Sequence, residues 1–188
     1  MERSRKSAPE LIVITGGARS GKSRHALAWA AQFRRRAFIA TAQELDDEMR
    51  DRIARHRGER GSAWTTFEEP IRLAAALRRA QQDHDAVVVD CLTFWLSNLI
   101  LQPRRIDLER PVQELLGVLE RRRAAIALVT NEVGSGIVPE NPLARRFRDL
   151  CGQLNQQVGD RADRVILVVA GRALELPRAG PPAGRRRG

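Results

Sequence analysis

Leu11-Ile12-Val13-Ile14-Thr15-Gly16-Gly17-Ala18-Arg19-Ser20-Gly21-Lys22-Ser23 places a five-residue apolar run directly before a complete G-x-x-x-x-G-K-S phosphate loop, residues 16–23. A helix-like stretch from Ser23 to Arg34 follows. The flanks matter more than the string, because a strand feeding the loop and a helix leaving it are what the mechanism requires. The glycines let main-chain N–H groups turn inward around a phosphate without a clashing Cβ. The helix N-terminus adds free donors and partial positive charge. In such a loop the Lys22 ammonium reaches the β- and γ-phosphates, and the Ser23 hydroxyl holds Mg2+. Gly16, Gly17, Ala18, Arg19, Ser20, Gly21, Lys22 and Ser23 are therefore the expected triphosphate cradle, and the chain is expected to bind a nucleoside triphosphate.

Outward from the loop, strand-like and helix-like stretches alternate. Strands are expected at 11–15, 37–40, 86–90, 126–130 and 165–169, with weaker ones at 65–67 and 174–176. Helices are expected near 23–34, 44–57, 71–82, 92–102, 107–122 and 141–158. Several strands are unbroken apolar runs, the pattern of strands covered on both faces. The reading is an α/β P-loop NTPase fold of the RecA-like three-layer kind, with a mostly parallel central sheet. One catalytic domain is expected over 10–177, with flexible tails at 1–9 and 178–188. In such sheets ligands sit beyond the carboxyl ends of the strands. The segments to inspect are 16–23, 41–43, 90–93 and 131–138.

Composition narrows the classes. The chain has 188 residues, an apolar fraction of 43% and a formal charge of +10. The tails carry +6 of that charge, +2 in residues 1–9 and +4 in 178–188. Lys6 and Lys22 are the two lysines, and tyrosine is absent. With aromatics at 4%, few platforms exist for stacking single strands. Nucleic-acid binding is not expected, and the Arg runs 34–36 and 121–123 are read as solvated helix ends. The apolar run behind the polar first ten residues is too short for a signal core or a membrane span. No membrane span and a cytoplasmic location are expected. Cys91 and Cys151 give no disulfide or metal spacing and read as buried free thiols.

Asp90 ends Val87-Val88-Val89, the Walker-B arrangement of a strand-terminal carboxylate that meets Mg2+ directly or through water. With Ser23 it forms the expected metal pair. Residues 130–142 follow a buried strand and open onto the crevice. There Asn131 and Glu132 offer an amide and a carboxylate near the phosphates; equally, Glu132 is read as solvated and Asn141-Pro142 as a helix start.

Of three histidines, His25 is read as packing or surface and His84 as solvent-exposed. His56 shares a helix face with Leu45, Met49 and Ile53 and is surrounded by Arg55, Arg57 and Arg60. An unprotonated imidazole is a competent nucleophile at phosphorus. A satisfied core histidine fits the same spacing. Trp29, Trp64 and Trp95 are read as packing anchors. No N-K-x-D guanine reader occurs, so the residues do not choose between ATP and GTP.

The segments ITGGARSGKSRHA (14–26), IATAQELDDEMRDRIARHR (39–57), W-x-T-x-E-E-P (64–70), VVVDCLTFWLSNLI (87–100) and VTNEVGSGIVPENPLARRFRDLCGQLNQ (129–156) resemble the bifunctional adenosylcobinamide kinase / adenosylcobinamide-phosphate guanylyltransferases of cobalamin biosynthesis. They span nearly the whole globular body in that family's order. The resemblance implies two reactions. ATP or GTP phosphorylates the aminopropanol hydroxyl of adenosylcobinamide. GTP then gives its GMP to an enzyme histidine and from there to the new phosphate, making adenosylcobinamide-GDP. The histidine of the R-I-x-x-H string is here His56. The resemblance also places Glu68 and Asp90 near the nucleotide and Thr41, Ala42 and Gln43 beside the phosphate loop; Arg57, from the arginine cluster around His56, and Asn131, from the loop after the buried strand, are the other expected nucleotide contacts. The resemblance implies a homotrimer with sites between subunits. One departure is Arg60-Gly61, where the family commonly has Arg-Pro. The competing readings are a single-activity small-molecule P-loop kinase and a RecA-like ATPase acting on nucleic acid.

Overall fold

The computed structural model describes residues 9–43, 47, 50, 58, 63–102 and 107–178. In chain order its elements are β1 (Leu11–Thr15), α1 (Lys22–Ala30), β2 (Arg36–Ala40), β3 (Trp64–Glu68), α2 (Leu73–Asp83), β4 (Ala86–Asp90), α3 (Leu92–Ile100), α4 (Glu109–Glu120), β5 (Ala125–Val129), α5 (Pro142–Arg161), β6 (Arg164–Val169) and β7 (Arg172–Leu176). Among the described residues the strands form one seven-stranded sheet in the order β3-β2-β4-β5-β1-β6-β7. Pairing is parallel from β3 through β6, and β7 returns antiparallel on β6. Both weakly signalled strands exist, and they are the two edges.

Strand alternation divides the core between two faces. Ile12, Ile14, Val88, Ala127 and Val129 pack with Ala26 and Ala30 of α1. Leu11, Val13, Val87, Val89, Ile126 and Leu128 pack with α2, α3, α4 and α5. The central strands β1, β4 and β5 are apolar up to their carboxyl ends, where β1 closes on Thr15 and β4 on Asp90, because helices cover both faces. On α2, Leu73 and Leu77 are fully buried one turn apart. Burying each contributes about 1.5–3 kcal/mol. Asn141 caps α5 by accepting from Leu143 N at 2.8 Å and Ala144 N at 3.1 Å, with Pro142 opening the helix.

The Arg runs are not plain helix-end charges. Helix α1 stops at Ala30, four residues before Arg34. Arg35 grips Asp85 at 2.6 Å and Arg36 opens β2, its guanidinium 5.3 Å over the Trp64 ring. The Arg122 side chain is 10% exposed and pairs with Asp163 at 2.8 Å. Arg122 also donates to Pro9 O, and the same Asp163 oxygen accepts Leu11 N at 2.7 Å. This pair fixes the chain where it enters β1. Arg178 donates to Ala162 O at 2.7 Å. So Pro9 and Arg178, read from sequence as tail residues, are tied to the body. Residues 1–8 and 179–188 lie outside the described residues. His84 is half-buried rather than exposed: Nδ1 lies 2.8 Å from Ala80 O and the ring meets Phe67 edge-on. The expected helix 44–57 also lies outside the described residues, except for helical Asp47 and Arg50, which pair at 2.8 Å.

Candidate active site

The chain turns sharply at the end of β1. Gly16 has φ +143°, and a Cβ there would lie 2.2 Å from Val168 O. Gly21, at φ +103°, is the N-cap of α1. The turn joining β6 to β7 braces the loop from outside, with Gly171 N donating to Ser20 O at 2.9 Å. Gly17, Ala18 and Arg19 are exposed, while Ser20 is buried. Lys22 is 6% exposed and its ammonium lies within the loop. It donates to Gly17 O at 2.5 Å and stands 3.5 Å from Ser20 Oγ. Helix α1 has no side-chain cap and no acidic residue in its first turn. Its first N–H groups and its dipole therefore favour an anion over the loop. A Gly16→Ala variant is expected to lose about 2–4 kcal/mol, since the new methyl strikes a β6 carbonyl and the backbone angle is wrong for an L-residue. Chemical denaturation at fixed pH measures this directly.

Asp90 ends β4, in register with Ala40 of β2 and Val129 of β5. The Asp90–Cys91 peptide is cis. Thr41 is fully buried. Its hydroxyl donates to Cys91 O at 2.7 Å and accepts from Cys91 N at 2.8 Å. Asn98 then holds Thr41 O at 2.7 Å and Pro70 O at 3.1 Å. The expectation that Thr41, Ala42 and Gln43 sit beside the phosphate loop needs correcting. Two strands separate β2 from β1, so this segment stands roughly 14 Å from β1, three strand spacings away, and beside Asp90. Glu68, in register with Ala40, ends the edge strand one spacing further out. The loop 16–23, Asn131 and Asp90 follow the neighbouring strands β1, β5 and β4, while Thr41–Gln43 and Glu68 follow β2 and β3 further along the same row of strand ends.

The segment after β5 is tied down by a polar network. Thr130 is buried and donates to Asn155 Oδ1 at 2.7 Å. Asn131 N and Nδ2 both donate to Thr93 Oγ1, at 3.0 and 3.1 Å. Asn155 Nδ2 donates to Asn131 O at 3.1 Å and Glu132 Oε1 at 3.2 Å. Thr15 Oγ1 donates to the same Glu132 oxygen at 2.7 Å, and Glu132 N donates to Gly16 O at 3.2 Å. The sequence reading missed Thr15, Thr93 and Asn155. A signal for Asn155 was present: it falls on the buried stripe of α5 with Cys151 and Val158, a polar residue where apolar ones are due.

The cysteines are buried free thiols. Burial, with Asp90 beside it, pushes the Cys91 thiol up to about 12. Burial, with Glu132 nearby, does the same to Cys151. Both stay protonated near neutral pH. The tryptophans are packing anchors: Trp95 is 1% exposed with its indole N–H on Ile71 O, and Trp29 donates to Glu10. His25 is half-buried on α1. His56 and Arg57 lie outside the described residues.

Residues 12–176 match the family described as cobinamide kinase / cobinamide phosphate guanyltransferase. The bifunctional adenosylcobalamin biosynthesis protein CobP of Pseudomonas aeruginosa is 48% identical over 174 residues, covering 90% of this chain and 98% of its own. The bifunctional adenosylcobalamin biosynthesis proteins CobU of Salmonella typhimurium and Escherichia coli are 40% and 39% identical over 179 residues, each covering 88% of this chain and 99% of its own. Among solved structures, an ATPase from the type III secretion system of pathogenic bacteria superposes with a TM-score of 0.52 at 12% identity. It covers 84% of this chain, which spans 50% of that one, and shows the shared fold.

Proposed function

The chain belongs to the cobinamide kinase / cobinamide phosphate guanyltransferase family, and from that premise we propose that it phosphorylates adenosylcobinamide with ATP or GTP and then converts the product to adenosylcobinamide-GDP with GTP. The observation that carries this reading is the convergence of the phosphate loop, Asp90 and the segment after β5 at the carboxyl ends of three neighbouring strands, with the Lys22 ammonium inside the loop.

Main-chain N–H groups of 16–23 and the α1 N-terminus hold the triphosphate, and Lys22 meets its β- and γ-oxygens. Ser23 and Asp90 offer hard oxygen donors of the kind Mg2+ takes, and with phosphate oxygens they would hold it where it neutralises charge on the triphosphate. In the second reaction an imidazole nitrogen of His56 attacks the α-phosphorus of GTP. A P–N bond forms and pyrophosphate leaves. An oxygen of adenosylcobinamide phosphate then attacks the same phosphorus, the P–N bond breaks, and His56 is regenerated. Arg57, beside His56 in sequence, is assigned to the nucleotide phosphates, and Ala42, Gln43 and Glu68 to the far wing of the crevice. A homotrimer is proposed on the family resemblance; exposed Ile137, Val138 and Leu143 beside the crevice supply apolar surface for a second copy. Among the described residues no helix is long and apolar enough to cross a membrane. A cytoplasmic location is proposed.

The test is intact-protein mass after incubation with GTP and Mg2+, beside an ATP control and a parallel assay of adenosylcobinamide phosphorylation. A GMP-sized gain with GTP and none with ATP is expected. Phosphorylation without any adduct would reassign the chain to a single-activity kinase.

A further inference from the structure

Strand β5 lies between β1 and β4, so the segment leaving its carboxyl end sits between the phosphate loop and Asp90. Glu132 is the third residue past β5. Its main chain is fixed to Gly16, and its Oε1 accepts from both Thr15 Oγ1 and Asn155 Nδ2. Among the described residues no hydrogen bond or ion pair reaches its Oε2. The residue is exposed, just past the carboxyl end of β5.

In this chain Lys and Arg outnumber Asp and Glu by 33 to 23. Asp85, Glu120, Asp163 and Glu175 each pair with an arginine. Glu132 is held instead by a neutral hydroxyl and a neutral amide. A guanidinium would neutralise a carboxylate as it oriented it. Thr15 and Asn155 orient the carboxylate and leave its charge, the condition a proton acceptor needs.

We propose that Glu132 takes the proton from the acceptor hydroxyl during phosphoryl transfer, and that Asn155 and Thr15 are positioning residues that aim its free oxygen. The inference rests on the reading that this chain phosphorylates an alcohol. The hydroxyl oxygen bonds to the γ-phosphorus, the bond from that phosphorus to the β,γ-bridging oxygen breaks, and nucleoside diphosphate leaves. The hydroxyl proton moves to Glu132 Oε2 and from there to water. The guanylyl half-reactions need no such group, because an unprotonated imidazole nitrogen and an ionised phosphate attack without losing a proton. The geometry therefore assigns Glu132 to one of the two reactions.

The experiment measures both reactions in Glu132→Gln, Asn155→Ala and the double variant, with Kd for a fluorescent triphosphate analogue and Tm as checks on binding and folding. Glu132→Gln is expected to lower kcat of phosphorylation by about 10²–10⁴-fold, with GMP labelling and Kd within about threefold of wild type. Asn155→Ala is expected to lower that kcat about tenfold with KM little changed, and the double variant to be no slower than Glu132→Gln alone. Additive losses in the double variant would overturn the positioning role. An equal fall in both reactions, or full phosphorylation by Glu132→Gln, would overturn the proton-acceptor role. A wild-type chain that phosphorylates nothing would overturn the functional reading itself, a result separable from the others by the wild-type control.

Discussion

A His56→Ala enzyme is expected to gain no GMP-sized mass with GTP and to make no adenosylcobinamide-GDP, while phosphorylation of adenosylcobinamide stays within about threefold of wild type. The choice of His56 rests on the family resemblance, and the surroundings of Cys91, Cys151, Lys22 and His84 agree with it. Cys91 and Cys151 are buried, and burial pushes both thiols up to about 12, so both stay protonated near neutral pH. The Lys22 ammonium is engaged within the loop. His84 precedes β4, at the amino end of the sheet, with Nδ1 against Ala80 O, on the wrong edge for a crevice at the carboxyl ends. His25, half-buried on α1, is the control substitution and should leave labelling intact. Intact-mass measurement on both variants decides the matter, and a persisting adduct in His56→Ala would assign the nucleophile elsewhere.

The parts of this fold that sequence reveals are those set by local rules. The run 11–15 and the loop 16–23 announce strand, turn and helix together, because the glycine spacing and the apolar run answer to one geometry. The runs 86–90 and 126–130 announce buried parallel strands, because helices cover both faces. Sheet order is different. Nothing local in 37–43 says that β4 and β5 intervene between β2 and β1, so the expectation that Thr41–Gln43 lie beside the phosphate loop failed. The Arg runs failed for a related reason. Their partners, Asp85 for Arg35 and Asp163 for Arg122, lie about fifty and forty positions away. Glu132 was visible as a candidate, but the spacing could not separate a solvated carboxylate from an aimed one. Only Asn155, twenty-three positions on and in a helix, makes that distinction.

Replacing Lys22 with methionine is expected to lower kcat/KM for the triphosphate in both reactions by about 10²–10³-fold, the scale of losing one preorganised donor to developing phosphate charge. Methionine keeps an unbranched stem as far as Cε and removes the ammonium. The loop should survive it, because Gly16 and Gly21 set the backbone path and Gly171 N holds Ser20 O independently of the side chain. What goes is the ammonium that Gly17 O and Ser20 Oγ hold inside the loop. Lys22→Arg should not restore activity. Its planar fork is wider than an ammonium, and the space bounded by Gly17 O and Ser20 Oγ suits a point charge. Steady-state kinetics of phosphorylation and the rate of GMP labelling, measured on the same preparation, test the shared-loop mechanism. In the shared-loop mechanism Lys22 meets the charge on the leaving diphosphate in phosphorylation and on the leaving pyrophosphate in guanylylation, so that mechanism requires a common loss. A Lys22→Met enzyme that lost only one reaction would place the other triphosphate in a second pocket.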